Sequence, residues 1–201
     1  MNSFLYNHVS KDLVKKVFDD LYRKVDKNYH YHNLDHTKRV LEASIDIGGH
    51  YKLNDEEWKI LLTACLFHDY GFIKTHENHE QIGADLCADI LKDFNYSQTE
   101  ISSIKSLILI TKLTTDPSST LEFIISDSDL EYLGSNDFEF LSEKLKEEWL
   151  HLGIVKSEKD FYNKQYDFLN RYKFYCSFLN DQRRKIIDQN ISLAHKKLMK
   201  L

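Results

Sequence analysis

The chain has one proline, six glycines and three cysteines among its 201 residues. So little proline and glycine argues against a turn-rich all-β fold, whose tight connections depend on those residues. Strand-like alternation is scarce as well. No apolar run approaches the length of a membrane span, so no membrane association is expected. The opening stretch Met1-Asn2-Ser3-Phe4-Leu5-Tyr6-Asn7-His8 lacks the apolar core of a secretory leader. Cys65, Cys87 and Cys176 are odd in number and widely spaced, which is not the pattern of a disulfide framework. Reduced core thiols and a cytoplasmic location are the expectation. Positive charge is also short: 27 Lys and Arg against 32 Asp and Glu leave a net charge of -5. A generic nucleic-acid surface is therefore not expected. A small anionic ligand stays compatible, because a metal and a few basic side chains make a local positive site. Oligomeric state has no signature here.

What is present is a globular composition, 42% hydrophobic and 29% charged, with no low-complexity tract and no internal repeat. The length suits one domain with a sizeable core. Helical periodicity runs through most of it. After Ser10-Lys11-Asp12, the residues Val14, Val17, Phe18, Leu21, Tyr22 and Val25 recur at helical spacing. A second helix is expected to begin between Asn33 and Asp35 and to run to Gly48-Gly49. Asn54 with Glu57, and Ser97 with Glu100, read as capping boxes that open two more. Asp116-Pro117 marks the start of another segment, Asn136 to about Leu152 a further amphipathic helix, and Ser157-Glu158-Lys159-Asp160 the cap of the next. The last helix is expected from about Asp181 to Leu201. The aromatic residues between Phe161 and Phe178 are expected in the core rather than on a base-stacking platform. The fold class is all-α.

Chemistry concentrates in Leu61-Leu62-Thr63-Ala64-Cys65-Leu66-Phe67-His68-Asp69-Tyr70-Gly71-Phe72, an apolar helix that delivers an imidazole and a carboxylate at its exit, with Gly71 to end it. A buried pair of that kind is costly unless it is partnered. A His-Asp dipeptide arises about once by chance in a chain of this composition, so its surroundings carry the inference. Upstream, His30, His32 and His36 crowd into Tyr29–Leu41. Downstream, His76-Glu77-Asn78-His79-Glu80 enters another helix, and Asp127 and Asp129 sit inside an otherwise apolar run. Core helices avoid acids placed in that way. Two imidazoles and two carboxylates from His36, His68, Asp69 and Asp129 suit a divalent ion with room left for water and a substrate oxygen.

A histidine in Tyr31-His32-Asn33-Leu34-Asp35-His36, then His68-Asp69 closing an apolar helix, then an Asp in Ser126-Asp127-Ser128-Asp129-Leu130, resembles the HD-domain metal-dependent phosphohydrolases. The resemblance covers about residues 29–134, with residues 136–201 as extra C-terminal helices packed on that core, all in one domain of residues 1–201. It implies a compact helical HD-domain bundle. It implies His36, His68, Asp69 and Asp129 as metal ligands, with Asp127 the rival for the last position or an orienting neighbour. It implies one divalent ion per chain, with Mn, Mg, Co, Ni, Fe and Zn all open. Asp69 and Glu80 are the catalytic assignments, Glu80 through water activation or substrate orientation. His32, His79, Lys112 and Asp127 are the candidate substrate contacts.

The binuclear form of the family pattern adds two more His between the His-Asp pair and the last Asp. His76 or His79 could supply the first, but Thr111-Lys112 stands where the second is expected. One metal is therefore expected, and a binuclear-iron oxygenase is disfavoured. The implied function is hydrolysis of a nucleotide or another small phosphate ester or anhydride through metal-activated water. Phosphomonoesterase, phosphodiesterase and nucleotide pyrophosphohydrolase stay open. The alternative is a non-catalytic nucleotide sensor that uses the same pocket.

Overall fold

The computed structural model describes residues 3–201. Among them are ten α-helices and no strand. These are α1 (Ser3–His8), α2 (Lys11–Lys24), α3 (Leu34–Gly48), α4 (Asp55–Phe67) and α5 (His79–Leu91), then α6 (Gln98–Ile110), α7 (Thr120–Asp129), α8 (Phe138–His151), α9 (Glu158–Arg171) and α10 (Ser177–Leu198). The chain is all-α, as its periodicity predicts. No described helix is long and apolar enough to cross a membrane. The helices gather into two compact units, one built from the chain up to Asp26 with His32–Asp129, the other from Lys27–Tyr31 with Leu130–Leu201.

The first unit is built around α4. Both of its capping-box hydrogen bonds are present, with Asn54 accepting from Glu57 N–H and the Glu57 side chain accepting from Asn54 N–H. From Ile60 to Phe67 every residue is buried, so beyond its exposed first turn this helix has no solvent face. A helix apolar on all sides belongs inside a domain. It packs against α1, α2, α3, α5, α6 and α7. Burying side chains such as Leu61, Leu62, Leu66 and Phe67 stabilises the unit by about 1.5–3 kcal/mol each. That rigid rod ends at the candidate site. Asn33 caps α3 by accepting the Asp35 N–H, so the helix starts at Leu34 and His32 lies just before it.

The second unit packs α8, α9 and α10 with the turn Glu131–Gly134 and with Tyr31. Its core includes Phe138, Leu141, Leu145, Phe161, Tyr162 and Leu169, so those aromatic residues are packing elements. The buried carboxylate of Glu148 accepts the backbone N–H of Tyr31 at 2.8 Å.

Three boundaries differ from expectation, each for a local reason. α10 begins at Ser177 rather than Asp181, because Asn180 hydrogen-bonds both the N–H and the carbonyl of Phe174 and stabilises an early first turn. Its cap position is Cys176, which makes no capping bond and leaves no signal in the sequence. α7 starts at Thr120, not at Asp116-Pro117, where Glu122 accepts hydrogen bonds from the backbone of Ser118 and Ser119. Gly71 does not end α4, which stops at Phe67. It lies in the following 3-10 turn, Tyr70–Ile73, where a Cβ would come within 2.0 Å of the His79 carbonyl oxygen. Gly71 is there to admit the start of α5.

Candidate metal centre

Three chain segments bring four donors together at the exit of α4. His36 comes from the first turn of α3, His68 and Asp69 directly follow α4, and Asp129 is the last residue of α7. His36, His68 and Asp69 are buried, at 2%, 0% and 5% exposure, and present ligand atoms within 4.8 Å of one another. His36 Nε2 lies 2.9 Å from Asp129 Oδ1, 3.2 Å from His68 Nε2 and 3.3 Å from Asp69 Oδ2. His68 Nε2 lies 3.3 Å from Asp69 Oδ2 and 3.4 Å from Asp129 Oδ1.

These are the spacings of a coordination shell. An ion bonded at about 2.1 Å to each donor separates neighbouring donors by about 3.0 Å in octahedral geometry and about 3.4 Å in tetrahedral geometry. Two further observations fit the donor set to a cation. Asp69 Oδ2 is buried and makes no hydrogen bond. A native buried oxygen left in that condition calls for an unseen partner. His68 Nδ1 lies 2.8 Å from the Cys65 carbonyl oxygen, which can only accept, so Nδ1 carries the proton. The neutral ring then turns its Nε2 lone pair towards the other donors, which is how a ligating histidine is prepared.

The electrostatics agree. Burial opposes the charged form of Asp69, but the imidazoles led by His68 outweigh it and hold its carboxyl well below the usual range. Burial likewise opposes charge on Asp129, and hydrogen bonds from His36 and His68 hold it low. Burial pushes His36 below its ordinary value. At His68 burial again acts against charge, yet Asp69 and Asp129 raise the imidazole well above its ordinary value. Two ionised carboxylates then face one imidazolium, a centre one positive charge short. A divalent ion replacing that proton balances it.

The other sequence-derived residues divide into those beside this cluster and those elsewhere. His79 opens α5, and its Nε2 lies 3.5 Å from Asp69 Oδ1 and 3.7 Å from Glu80 Oε1. Its Nδ1 donates to the His76 carbonyl at 2.9 Å, so the neutral form also turns a lone pair towards the cluster. Of the pair His76 and His79, it is therefore His79 whose imidazole reaches Asp69. The residue before it, Asn78, adopts the left-handed conformation at φ 51, which asparagine tolerates better than most residues. His32 stacks on Phe72 with ring centroids 4.6 Å apart, and its ring lies 5.6 Å from that of His36.

Asp127 is fully buried and stands two residues before Asp129 in α7. Residues two apart project about 200° from each other on a helix, so they cannot share one ion. Asp129 is the acid that lies within 3.4 Å of both imidazoles, and Asp127 is fully buried. Lys112 is exposed in the turn after α6. Thr111 ends that helix and spends its hydroxyl on the Ile108 carbonyl at 2.8 Å. The Cys65 carbonyl, the partner that sets the His68 tautomer, has no side-chain signal, and only the i to i+3 geometry of a helix end could have suggested it.

A family model described as HD domain matches residues 33–131. That span runs from the cap of α3 to two residues beyond Asp129 and contains all four donors. Comparison with curated proteins and with solved structures returns no match.

Proposed function

Because the chain belongs to the HD-domain superfamily, we propose that it is a metal-dependent phosphohydrolase of nucleotides or other small phosphate esters or anhydrides. The observation that carries the reading is the shell itself. His36, His68 and Asp69 hold donor atoms within 4.8 Å of one another, Asp129 Oδ1 lies 2.9 Å from His36 Nε2 and 3.4 Å from His68 Nε2, and Asp69 Oδ2 has no hydrogen bond. These four are the proposed ligands of one divalent ion per chain. Such an ion supplies Lewis acidity, making water a competent nucleophile near neutral pH and offsetting charge on a phosphoryl group.

The chain's own residues divide the remaining work. Asp69 turns Oδ2 towards His36 and His68 and Oδ1 towards His79. The lone pair on His79 Nε2 accepts a hydrogen bond from water or a substrate hydroxyl, and Glu80 beside it orients that group. His32 offers an imidazole edge, held flat against Phe72, to the substrate. Lys112 is a phosphate contact in this reading. All three cysteines are buried free thiols, which supports placing the protein in a reducing, cytoplasmic compartment.

The test is phosphate release over a nucleotide panel with Mn²⁺, Mg²⁺, Co²⁺ and Ni²⁺. At least one nucleotide should be hydrolysed, and a chelator should stop the reaction. Tight nucleotide binding with no phosphate released under any of the four metals would replace the enzyme with a sensor.

A further inference from the structure

We infer that Asp20 of α2 is a positioning residue for the metal centre, acting through a hydrogen bond from Tyr70 that fixes the turn carrying Asp69. The inference rests on the reading of Asp69 as a metal ligand. α2 contributes none of the donors and lies outside the residues that the family model matches.

The Tyr70 hydroxyl donates to Asp20 Oδ2 at 2.6 Å. Tyr70 is 2% exposed, and its ring meets that of Phe67 edge-on at 5.1 Å. A phenol set so deep needs a partner for its hydroxyl, and Asp20 is that partner. Asp20 also pairs with Lys24 at 2.7 Å on Oδ1 and with Lys16 at 3.3 Å on Oδ2. Both lysines are largely exposed, so the acceptor's place is set by α2 itself rather than by these pairs.

Tyr70 directly follows Asp69. Its ring is anchored against α4 and its hydroxyl against α2, so the peptide joining the two residues has little freedom. On the other side, His68 is tied to the Cys65 carbonyl. Asp69 sits between these ties at φ -103 and ψ 12, outside helical geometry, and its carbonyl accepts from Phe72 N–H at 3.0 Å. A buried carboxylate that must meet an ion within a few tenths of an ångström depends on such a frame. Residues that orient ligands typically change metal affinity about 10–100-fold when lost.

The experiment is calorimetric titration of the metal-free full chain with Mn²⁺, alongside circular dichroism and thermal melting. Tyr70→Phe removes only the hydroxyl and should weaken Mn²⁺ binding about tenfold or more. Helical content should persist, and the metal-free melting temperature should move by no more than a few degrees. Asp20→Ala should weaken binding to the same extent, and the double variant no further, since both remove one interaction. Asp20→Asn keeps an acceptor and should retain affinity within about threefold. Lys24→Ala leaves the hydrogen bond in place and should bind as the wild type does.

Wild-type affinity in Tyr70→Phe overturns the inference, and so does equal weakening in Lys24→Ala. Loss of the helical signal in Tyr70→Phe marks a purely structural latch and overturns it too. A wild-type chain that binds no Mn²⁺ removes the metal-centre reading itself, an outcome distinct from any of these.

Discussion

The Nε2 atoms of His36 and His68 face each other at 3.2 Å. Both also face the carboxylates of Asp69 and Asp129, so the four groups enclose a place for a cation. In the metal-free centre that cation is a proton. The carboxylates of Asp69 and Asp129 overcome burial to hold His68 well above its ordinary value, while burial keeps His36 below its own.

Metal binding should therefore expel a proton. Below the raised value of His68 the metal-free protein carries that proton and the ion must displace it. Affinity for Mn²⁺ should rise by about tenfold per pH unit below that raised value and level off above it. Calorimetry at pH 7 in buffers of different ionisation enthalpy should report about one proton released per ion. No release at that pH would mean that the ion binds elsewhere or that His68 is not a ligand.

Gly71→Ala should damage both fold and site. The added Cβ would lie 2.0 Å from the His79 carbonyl oxygen, so α5 must shift and carry His79 away from Asp69. A loss of about 2–3 kcal/mol is expected, together with most of the activity. Gly153→Ala is the comparison: φ is +69 there but nothing lies within 4 Å. It should cost about 1 kcal/mol and leave turnover intact. Chemical denaturation and activity assays of both variants decide the point. Equal effects would show that the Gly71 contact is not specific.

Acid sensitivity of the second unit should trace to Glu143. Burial works against its charge, but hydrogen bonds from Lys146, Lys197 and Tyr162 outweigh that and bring its value down to about 2. A lowered folded value means that the stabilisation is complete above about pH 4.5 and is lost as pH falls towards 2. The group is partly exposed, so the effect is under about 1 kcal/mol. Glu143→Gln should lower stability at pH 7 and flatten its fall between pH 4.5 and 2, followed by urea melts. An unchanged acid limb would assign the sensitivity to another carboxylate.

Much of this was legible in the sequence because capping and burial leave local marks. Asn54 with Glu57, and Ser97 with Glu100, form the capping boxes that their spacing announces. The acids at 127 and 129 stood out because apolar helices exclude charge, but only three-dimensional helix phase separates the one that faces His36 from the one turned away. α10 escaped exact placement because its first turn is held by the bonds of Asn180 back to Phe174 rather than by its cap. Gly71 misled for a related reason: glycine marks a helix end and a close approach with the same letter. The bond from Tyr70 to Asp20 joins residues 50 apart, and no local pattern encodes it.

The most direct measurement compares wild type and Asp69→Ala for metal content, circular dichroism and phosphate release on the best nucleotide of the panel. Asp69 offers a buried oxygen to the centre, while Leu61, Leu62, Cys65 and Leu66 are buried independently of it. The wild type should carry about one divalent ion per chain and turn over. Asp69→Ala should keep its helical signal, lose most of its metal and release no phosphate. Full turnover by Asp69→Ala, or two tightly held ions in the wild type, would contradict a single ion held by His36, His68, Asp69 and Asp129.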